Sequence, residues 1–492
     1  MKQAKNLMVQ GTMSGVGKSL LTAGLCRIFR QDGYRVAPFK SQNMALNSFI
    51  TREGLEMGRA QAVQAAAAGV EPDVRMNPIL LKPSSDTGSQ VIVGGEVRGQ
   101  MQAAEYFRYK KQLIPEILEA YHSLEAEYDI LVIEGAGSPA ELNLKADDIV
   151  NMGLAKLVNA PVLLAGDIDR GGVFAQLYGT VTLLEPEEQA RICGLILNKF
   201  RGDPDILRPG LAMLEEKTGL PVLGVIPYLE VDLDDEDSLS TRLLSKKVEK
   251  PLDVAVIHLP HISNFTDFAP LEGQGSMGVR YVARREALGN PDLVILPGTK
   301  STMADLLWLR RNGLEAAIQK LAAKQTPVLG VCGGYQMLGK TLADPDGVEG
   351  PPGAVVRGIG LLPTDTVFTP HKRRTRTKAV VEHGPLAGAE IQGYEIHMGI
   401  TTGQKDCFAR LEDGALDGCV AGQVFGTYLH GLFDTGVLTS KLAGYLGERK
   451  GIAVTDAAPQ SHEKYQDQQL DALAEGLRRC LDLPRIYQCM EK

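Results

Sequence analysis

Aromatic residues, long apolar runs and paired cysteines are all scarce in this chain of 492 residues. Aromatic residues make up 5% of it, with one tryptophan, and no run approaches the roughly 18 apolar residues of a membrane-spanning helix. The seven cysteines lack C-x-x-C pairs, which argues against a disulfide framework or a zinc site. No apolar signal segment follows the N-terminus. These absences predict a reduced, cytoplasmic protein with no membrane span.

Basic charge is also limited. The formal net charge is −8, and the only local basic run is HKRRTRTK at residues 371–378. The absence of an extended basic stripe argues against nucleic acid as a partner. The run itself is either a solvated loop or a patch that meets a polycarboxylate ligand, and the sequence leaves both interpretations open.

A glycine-rich turn marks the N-terminal part of the chain. The run GTMSGVGKS at residues 11–19 follows an apolar strand at 6–10 and precedes an amphipathic helix at 20–30. This context is typical of a P-loop, whose backbone N–H groups cradle phosphates while its lysine neutralises them and its serine holds Mg²⁺. A chance glycine-rich loop is the alternative. The predicted nucleotide-binding residues are Gly11, Thr12, Gly15, Gly17, Lys18 and Ser19.

Polar residues end several further predicted strands. Lys40 follows the strand at 34–39, and Glu134 ends the strand at 129–134. The alternation of strands and helices predicts a mostly parallel, doubly wound sheet, in which strand ends meet at one edge. Glu134 is therefore predicted to complete the Mg²⁺ site with Ser19. The alternatives are that Lys40 is an ordinary surface lysine and that the Glu134 carboxylate caps the next helix.

A second motif lies in the C-terminal half. An apolar strand at 327–331 leads into Cys332 within the run GVCGG, and a helical pattern follows. With serine, this strand–turn–helix is the nucleophile elbow, in which the N–H of the next residue, here Gly333, faces a developing oxyanion. His430 ends another apolar run and is suited to act as the base. The alternative is a buried cysteine in an ordinary turn.

These motifs resemble known families. Cys332 and His430 resemble the pair of class I glutamine amidotransferases, and the long P-loop resembles that of dethiobiotin synthetase and its relatives. The runs KSQNMALN, EGAGSP and GYEIHMG resemble the cobyric acid synthase family, and this resemblance covers nearly the entire chain. It implies an α/β fold of two domains, a P-loop doubly wound sheet followed by a class I glutamine amidotransferase-like domain.

The predicted boundaries divide the chain into four parts. They are a P-loop domain at 1–229, a linker at 230–250, an amidotransferase domain at 251–445 and a helical tail at 446–492.

The resemblance also implies roles for single residues. Lys40 would stabilise charge on an acyl phosphate, Asn198 would contact the nucleotide base, and the backbone near Gly298 would complete the oxyanion hole. Most class I amidotransferases carry a Glu two residues after the histidine, where this chain has Leu432. The group that orients His430 is therefore left open, with Asp434 or a backbone carbonyl as candidates.

The implied reaction uses ATP, Mg²⁺ and L-glutamine to amidate the b, d, e and g carboxylates of adenosylcobyrinic acid a,c-diamide, a corrinoid. Three alternatives stand beside it. The first is a cobyrinic acid a,c-diamide synthase, and the second is a partitioning-type P-loop ATPase, which would need no cysteine elbow. The third is a degenerate amidotransferase domain that only scaffolds. The sequence leaves the oligomeric state open.

Overall fold

Two compact units make up this chain in the computed structural model, which describes residues 3–83, 88–234, 243, 249–454 and 461–491. The first unit is Met1–Met44 with Leu55–Asp234 and Gln466–Lys492. The second is Ala45–Gly54 with Asp235–Tyr465. Each unit is therefore assembled from separate stretches of sequence. The domain boundaries at 229, 250 and 445 stay predictions, and most of the predicted linker at 230–250 lies outside the described residues.

The N-terminal half alternates between strands and helices. Its strands are β1 (Lys5–Gly11), β2 (Val36–Phe39), β3 (Gln42–Met44), β4 (Ser48–Ile50), β5 (Glu56–Gly58), β6 (Ile79–Pro83), β7 (Gly88–Val93), β8 (Glu96–Gln102), β9 (Ile130–Glu134), β10 (Val162–Asp167), β11 (Ile192–Phe200) and β12 (Val222–Pro227). Its helices are α1 (Lys18–Gln31), α2 (Arg59–Ala68), α3 (Ala103–Tyr109), α4 (Ile114–Glu127), α5 (Met152–Leu157), α6 (Val173–Leu183), α7 (Pro186–Gln189) and α8 (Pro204–Thr218).

The main sheet of the first unit has the strand order β12-β11-β10-β1-β9-β2. All five pairings are parallel, and the central strand β1 is buried along its apolar residues because helices cover both faces. The register places Val9 beside Glu134 and Gly11 beside Ala165. The P-loop and Glu134 consequently emerge at the same edge, as the alternating pattern predicts. A smaller sheet has the order β3-β6-β7-β8.

The second unit contains most of the remaining elements. Its strands are β13 (Leu252–Ile257), β14 (Met277–Val282), β15 (Leu293–Leu296), β16 (Val328–Val331), β17 (Thr341–Asp344), β18 (Ala354–Arg357), β19 (Asp365–Val381), β20 (Glu390–Thr402), β21 (Ala409–Leu411), β22 (Leu416–Asp417), β23 (Cys419–Ala421), β24 (Val424–Thr427) and β25 (Leu429–His430), together with β4. The helices from here to the C-terminus are α9 (Ala269–Glu272), α10 (Arg285–Leu288), α11 (Thr302–Arg311), α12 (Leu314–Ala323), α13 (Gly333–Leu338), α14 (Val437–Lys450), α15 (His462–Arg478) and α16 (Leu483–Cys489).

Two sheets organise this second unit. The first has the order β14-β13-β15-β16-β24-β23, parallel except for β23. The second is built on the long antiparallel pair β19–β20. The basic run at 371–378, for which a solvated loop was one interpretation, lies inside β19. Its charged residues are tolerated in a strand because antiparallel pairing with β20 satisfies the backbone.

The C-terminal helices complete the core of the first unit. Leu470, Leu473 and Leu477 of α15 are buried in one cluster with Leu25 and Ile28 of α1. A Cβ added at Gly24 would lie 2.2 Å from Leu477 Cδ1, so a larger residue here would force the Leu477 side chain to move where the two helices approach. Burial of this apolar face stabilises the unit. Over the described ranges, no helix is long and apolar enough to cross a membrane.

Candidate active sites

Cys332 lies at the junction of β16 and α13, in the geometry of a nucleophile elbow. Its φ is +52°, a conformation that is strained for a residue with a side chain and that recurs at functional sites. The flanking glycines permit the sharp turn, because a Cβ at Gly334 would lie 2.0 Å from Leu296 O. The Cys332 N–H donates to Thr427 O at 2.8 Å, and its thiol lies 3.5 Å from Ile396 O.

His430 ends β25 and is held by a carboxylate that the sequence motifs do not reveal. Its Nδ1 lies 2.6 Å from Asp267 Oδ2, and Asp267 Oδ1 accepts the N–H of Gly431 at 3.1 Å. Both His430 and Asp267 are almost completely buried. Asp267 therefore occupies the place beside His430 for which Asp434 and a backbone carbonyl were the candidates, while Leu432 lies in the apolar core.

The electrostatics around His430 favour a proton on the imidazole. Burial works against its charge, but Asp267 and then the thiol of Cys332 raise the pKa of His430 to about 10. Its Nε2 is buried and has no hydrogen-bond partner within the described ranges. Such an imidazole is a strong acceptor for a thiol proton and, once protonated, is stabilised by the neighbouring carboxylate.

The two predicted oxyanion positions lie beside this pair. A Cβ at Gly298 would lie 3.2 Å from His430 Cε1, and one at Gly333 would lie 2.7 Å from Thr299 Cγ2. The loop after β15 is thus packed against both His430 and the residue that follows Cys332. The structure therefore brings together all four residues predicted for this site.

The P-loop of the first unit connects β1 to α1. Gly15 and Gly17 have φ values of +72° and +99°, which glycine adopts without steric cost. Lys18 Nζ donates to Met13 O at 3.1 Å and to Gly137 O at 3.0 Å. The ammonium group of Lys18 is thereby held beside the loop, where phosphates bind in this motif.

Glu134 accepts hydrogen bonds from several residues of this site and is 1% exposed. Its Oε1 accepts hydrogen bonds from Ser19 Oγ and from Lys40 Nζ, both at 2.9 Å. Its Oε2 accepts from Gln64 Nε2 of α2. Three of the sequence-predicted residues are consequently in direct contact, and Gln64 is a further member that the motifs missed.

Asn198 lies at the end of β11, under the P-loop. Its Nδ2 donates to Val16 O at 2.8 Å, and its Oδ1 accepts the N–H of Lys199 at 2.9 Å. Lys199 Nζ in turn donates to Gly15 O at 2.6 Å. These contacts give Asn198 a role in supporting the loop, and its predicted contact with a nucleotide base stays a prediction.

The donors near the P-loop fit a magnesium ion. Ser19 and Glu134 offer a hydroxyl and a carboxylate oxygen, and Mg²⁺ prefers such oxygen ligands together with water and phosphate. No group of three or more His, Cys, Asp or Glu side chains arranged to hold a metal occurs in the described part of the chain. A magnesium ion here would take its remaining ligands from phosphate oxygens and water.

Comparison with known proteins assigns both halves. The model of the CobQ/CobB/MinD/ParA nucleotide binding domain matches residues 7–239, and that of the CobB/CobQ-like glutamine amidotransferase domain matches residues 253–437. Cobyric acid synthase of Lachnoclostridium phytofermentans is 54% identical, over 99% of this chain and 99% of its own length. This chain belongs to the cobyric acid synthase family. The family's enzymes from Ruminiclostridium cellulolyticum and Yersinia enterocolitica are 55% and 51% identical, each over 99% of this chain and 98% of their own.

Membership of the cobyric acid synthase family confirms two of the sequence predictions, the enzyme class and the fold. The chain is an ATP-dependent glutamine amidotransferase of cobalamin biosynthesis. Its fold is α/β, with a P-loop nucleotide-binding domain and a glutamine amidotransferase domain. The partitioning-type ATPase is thereby set aside. The roles of individual site residues stay predictions, which the following variants test.

The contact between Asp267 and His430 predicts a large effect of Asp267→Asn. We expect the kcat for glutamate release from glutamine to fall roughly 10²- to 10⁴-fold, because an asparagine amide favours the wrong histidine tautomer and cannot stabilise the imidazolium. Asp434→Asn is the matched control, since it removes the nearby carboxylate that the sequence suggested, and should retain nearly full activity. Equal losses in both variants would contradict the assignment.

The same variant predicts a pH-dependent change in stability. A raised pKa means that the folded state binds the proton of His430 more tightly, so this contribution is complete below the ordinary value of 6.5 and is lost as pH rises through about 10. The difference in unfolding temperature between wild type and Asp267→Asn should therefore be largest at pH 6.5 and should narrow near pH 10. A difference that does not change with pH would contradict Asp267 as the cause of the raised pKa of His430.

Proposed function

We propose that the chain converts adenosylcobyrinic acid a,c-diamide to adenosylcobyric acid by amidating the b, d, e and g carboxylates. The observation that carries this substrate assignment is the 54% identity to a cobyric acid synthase over 99% of both chains. The geometry of the two sites supports the chemistry, because one is suited to phosphoryl transfer and the other to thiol-dependent hydrolysis of an amide.

The first half-reaction activates a carboxylate. Hydroxide is a poor leaving group, so ATP phosphorylates the carboxylate to give an acyl phosphate and ADP. Lys18 and Lys40 supply positive charge where charge develops on the transferred group, and such preorganised charges stabilise the transition state. Mg²⁺ held by Ser19 and Glu134 would neutralise phosphate charge. Gln64 and Ser19 hold the Glu134 carboxylate through both of its oxygens.

The second half-reaction supplies ammonia. Cys332, whose proton His430 has taken, attacks the glutamine amide carbon as a thiolate, and the backbone at Gly298 and Gly333 stabilises the oxyanion. His430 then protonates the departing ammonia, which leaves a γ-glutamyl thioester. Water, deprotonated by His430, hydrolyses the thioester to glutamate and restores the thiol. Ammonia displaces phosphate from the acyl phosphate and forms the amide.

Amide additions counted by mass spectrometry test this proposal. Purified protein is incubated with adenosylcobyrinic acid a,c-diamide, ATP, Mg²⁺ and glutamine. We expect four amide additions, with one ATP and one glutamine consumed for each. In parallel reactions with cobyrinic acid, a product that stops after two additions would favour the a,c-diamide synthase instead. No addition to either corrinoid would overturn the substrate assignment.

A further inference from the structure

A short N-terminal stretch, Ala45–Gly54, belongs to the second unit although the residues on both sides belong to the first. We refer to it as the 45–54 segment. Its side chains are largely buried, and Asn47, Ser48, Ile50 and Thr51 are all 0% exposed. Burial of three polar side chains in one short stretch requires specific partners. The segment is therefore built into the amidotransferase unit.

One set of its contacts leads to Asp267. The N–H of Ser48 donates to Asn264 Oδ1 at 3.0 Å. Asn264 is buried, has a φ of +51° and is the N-cap of the 3₁₀ turn Phe265–Phe268. Its carbonyl accepts the N–H of Asp267 at 3.0 Å. A hydrogen-bonded path thus runs from Ser48 through Asn264 and Asp267 to His430.

A second set of contacts leads to the imidazole and to the thiol. The Tyr394 ring is stacked on His430, with centroids 5.2 Å apart and planes inclined by 18°, and its OH donates to Ser48 O at 3.4 Å. Ile50 forms a buried cluster with Tyr394 and Ile396. The carbonyl of Ile396 is the group that contacts Cys332 Sγ. The segment therefore packs against the supports of both catalytic side chains.

The segment is also anchored to β19. Arg376 Nε donates to Ile50 O at 2.8 Å, and its guanidinium lies 4.6 Å from the centroid of the Phe49 ring. Hydrogen bonds with Asn264, Tyr394 and Arg376 thus hold the backbone at Ser48 and Ile50. A stretch held in this way can transmit a displacement to its neighbours, because packed cores deform little.

We infer that the 45–54 segment is a positioning element of the glutaminase site that also makes glutamine hydrolysis responsive to the phosphoryl-transfer site. It holds Asp267, Tyr394 and Ile396, which in turn hold His430 and Cys332. Only four residues separate Lys40 from Ala45 along the backbone, so a displacement of Lys40 on binding of ATP and corrinoid would reach the segment through the chain. This inference rests on the proposed function, in which Lys40 contacts the transferred phosphoryl group.

Two variants of the full-length protein test the segment. Asn264→Gly removes the acceptor for Ser48 N–H and suits the positive φ. Ile50→Ala removes the packing against Tyr394 and Ile396. For both, we expect the kcat for glutamine hydrolysis to fall at least about tenfold with a nearly constant KM, because small displacements of catalytic groups cost rate rather than binding. Amide addition with ammonium as nitrogen source should stay within about twofold of wild type, since that reaction does not require the dyad.

The response of glutamine hydrolysis to ligands at the phosphoryl-transfer site is measured separately, with its own controls. Wild type should hydrolyse glutamine faster when ATP and adenosylcobyrinic acid a,c-diamide are present, and this stimulation should be lost in both variants. Glu53→Ala, an exposed change in the same segment, should keep this stimulation. Ile50→Val should retain most of the rate that Ile50→Ala loses.

Three outcomes would overturn the inference in distinguishable ways. Unchanged kcat in both variants would exclude a positioning role. Parallel losses with glutamine and with ammonium would indicate a general folding defect and contradict a role specific to the glutaminase. A wild type that hydrolyses glutamine at the same rate without ligands would contradict the link to Lys40. Failure of wild type to hydrolyse glutamine or to add amides with ammonium would instead refute the proposed function itself.

Discussion

Replacing Cys332 by serine is expected to abolish glutamine-dependent amidation while leaving ammonium-dependent amidation intact. The cysteine is the sole thiol at the elbow, and His430 and the Gly298 loop are arranged around it. Loss of a nucleophile typically removes most of the rate, so we expect glutamate release to fall by at least roughly 10³-fold. Ammonium should still displace phosphate from the acyl phosphate, because in the proposed mechanism that step takes place at the P-loop site.

The matched control for this variant is Cys407→Ser. Cys407 is a free, buried cysteine of the same unit with no assigned role in hydrolysis. It should retain glutamate release close to that of wild type, which separates loss of the nucleophile from a general effect of removing a thiol. Glutamate release that persists in Cys332→Ser, measured with the same glutamine stock, would show that the nucleophile lies elsewhere.

Contiguous motifs explain why much of the fold and of both sites could be predicted. The P-loop and the cysteine elbow each occupy a single strand–turn–helix, so their residue types and spacing are fixed by local backbone geometry. Glu134 and Lys40 could be added because parallel strands end at one edge of a sheet. The observed contacts of Glu134 with Ser19 and Lys40 follow that rule.

Residues that reach a site from distant elements could not be found in this way. Asp267 lies 163 residues before His430 on a 3₁₀ turn that belongs to no motif. An available signal was a carboxylate between two phenylalanines, Phe265 and Phe268, since a carboxylate that is buried with such apolar neighbours needs a partner. Gln64 lies on an alanine-rich helix, where its burial was not apparent from composition.

The sequence also did not predict which stretches of the chain assemble into each unit. The tail at 446–492 was predicted to be helical without a packing partner, and in the structure α15 packs Leu473 and Leu477 into the core of the first unit. The 45–54 segment, close in sequence to Lys40, belongs to the second unit. Local periodicity reports which face of an element is apolar, but it does not report which distant surface covers that face.

Replacing Lys40 by methionine is the second variant with a large expected effect, and its signature is the reverse of that of Cys332→Ser. Lys40 is 5% exposed, and its ammonium group lies 2.9 Å from Glu134 Oε1. Removing a preorganised charge from a phosphoryl-transfer site costs several kcal/mol of transition-state stabilisation, or roughly 10²- to 10³-fold in rate. We therefore expect amide addition to fall by that factor with glutamine and with ammonium alike. Glutamate release without ATP should change little.

A second buried lysine provides the control for stability. Lys82 is also 5% exposed and lies 2.9 Å from Glu56, so Lys82→Met removes one member of a comparable ion pair. Breaking such a pair costs about 3–5 kcal/mol, because a buried charge is left without its partner. Both variants should thus lose thermal stability to a similar extent, but only Lys40→Met should lose amidation by two or more orders of magnitude. Equal losses of amidation would mean that Lys40 acts through the fold, whereas full activity of Lys40→Met would exclude it from phosphoryl transfer.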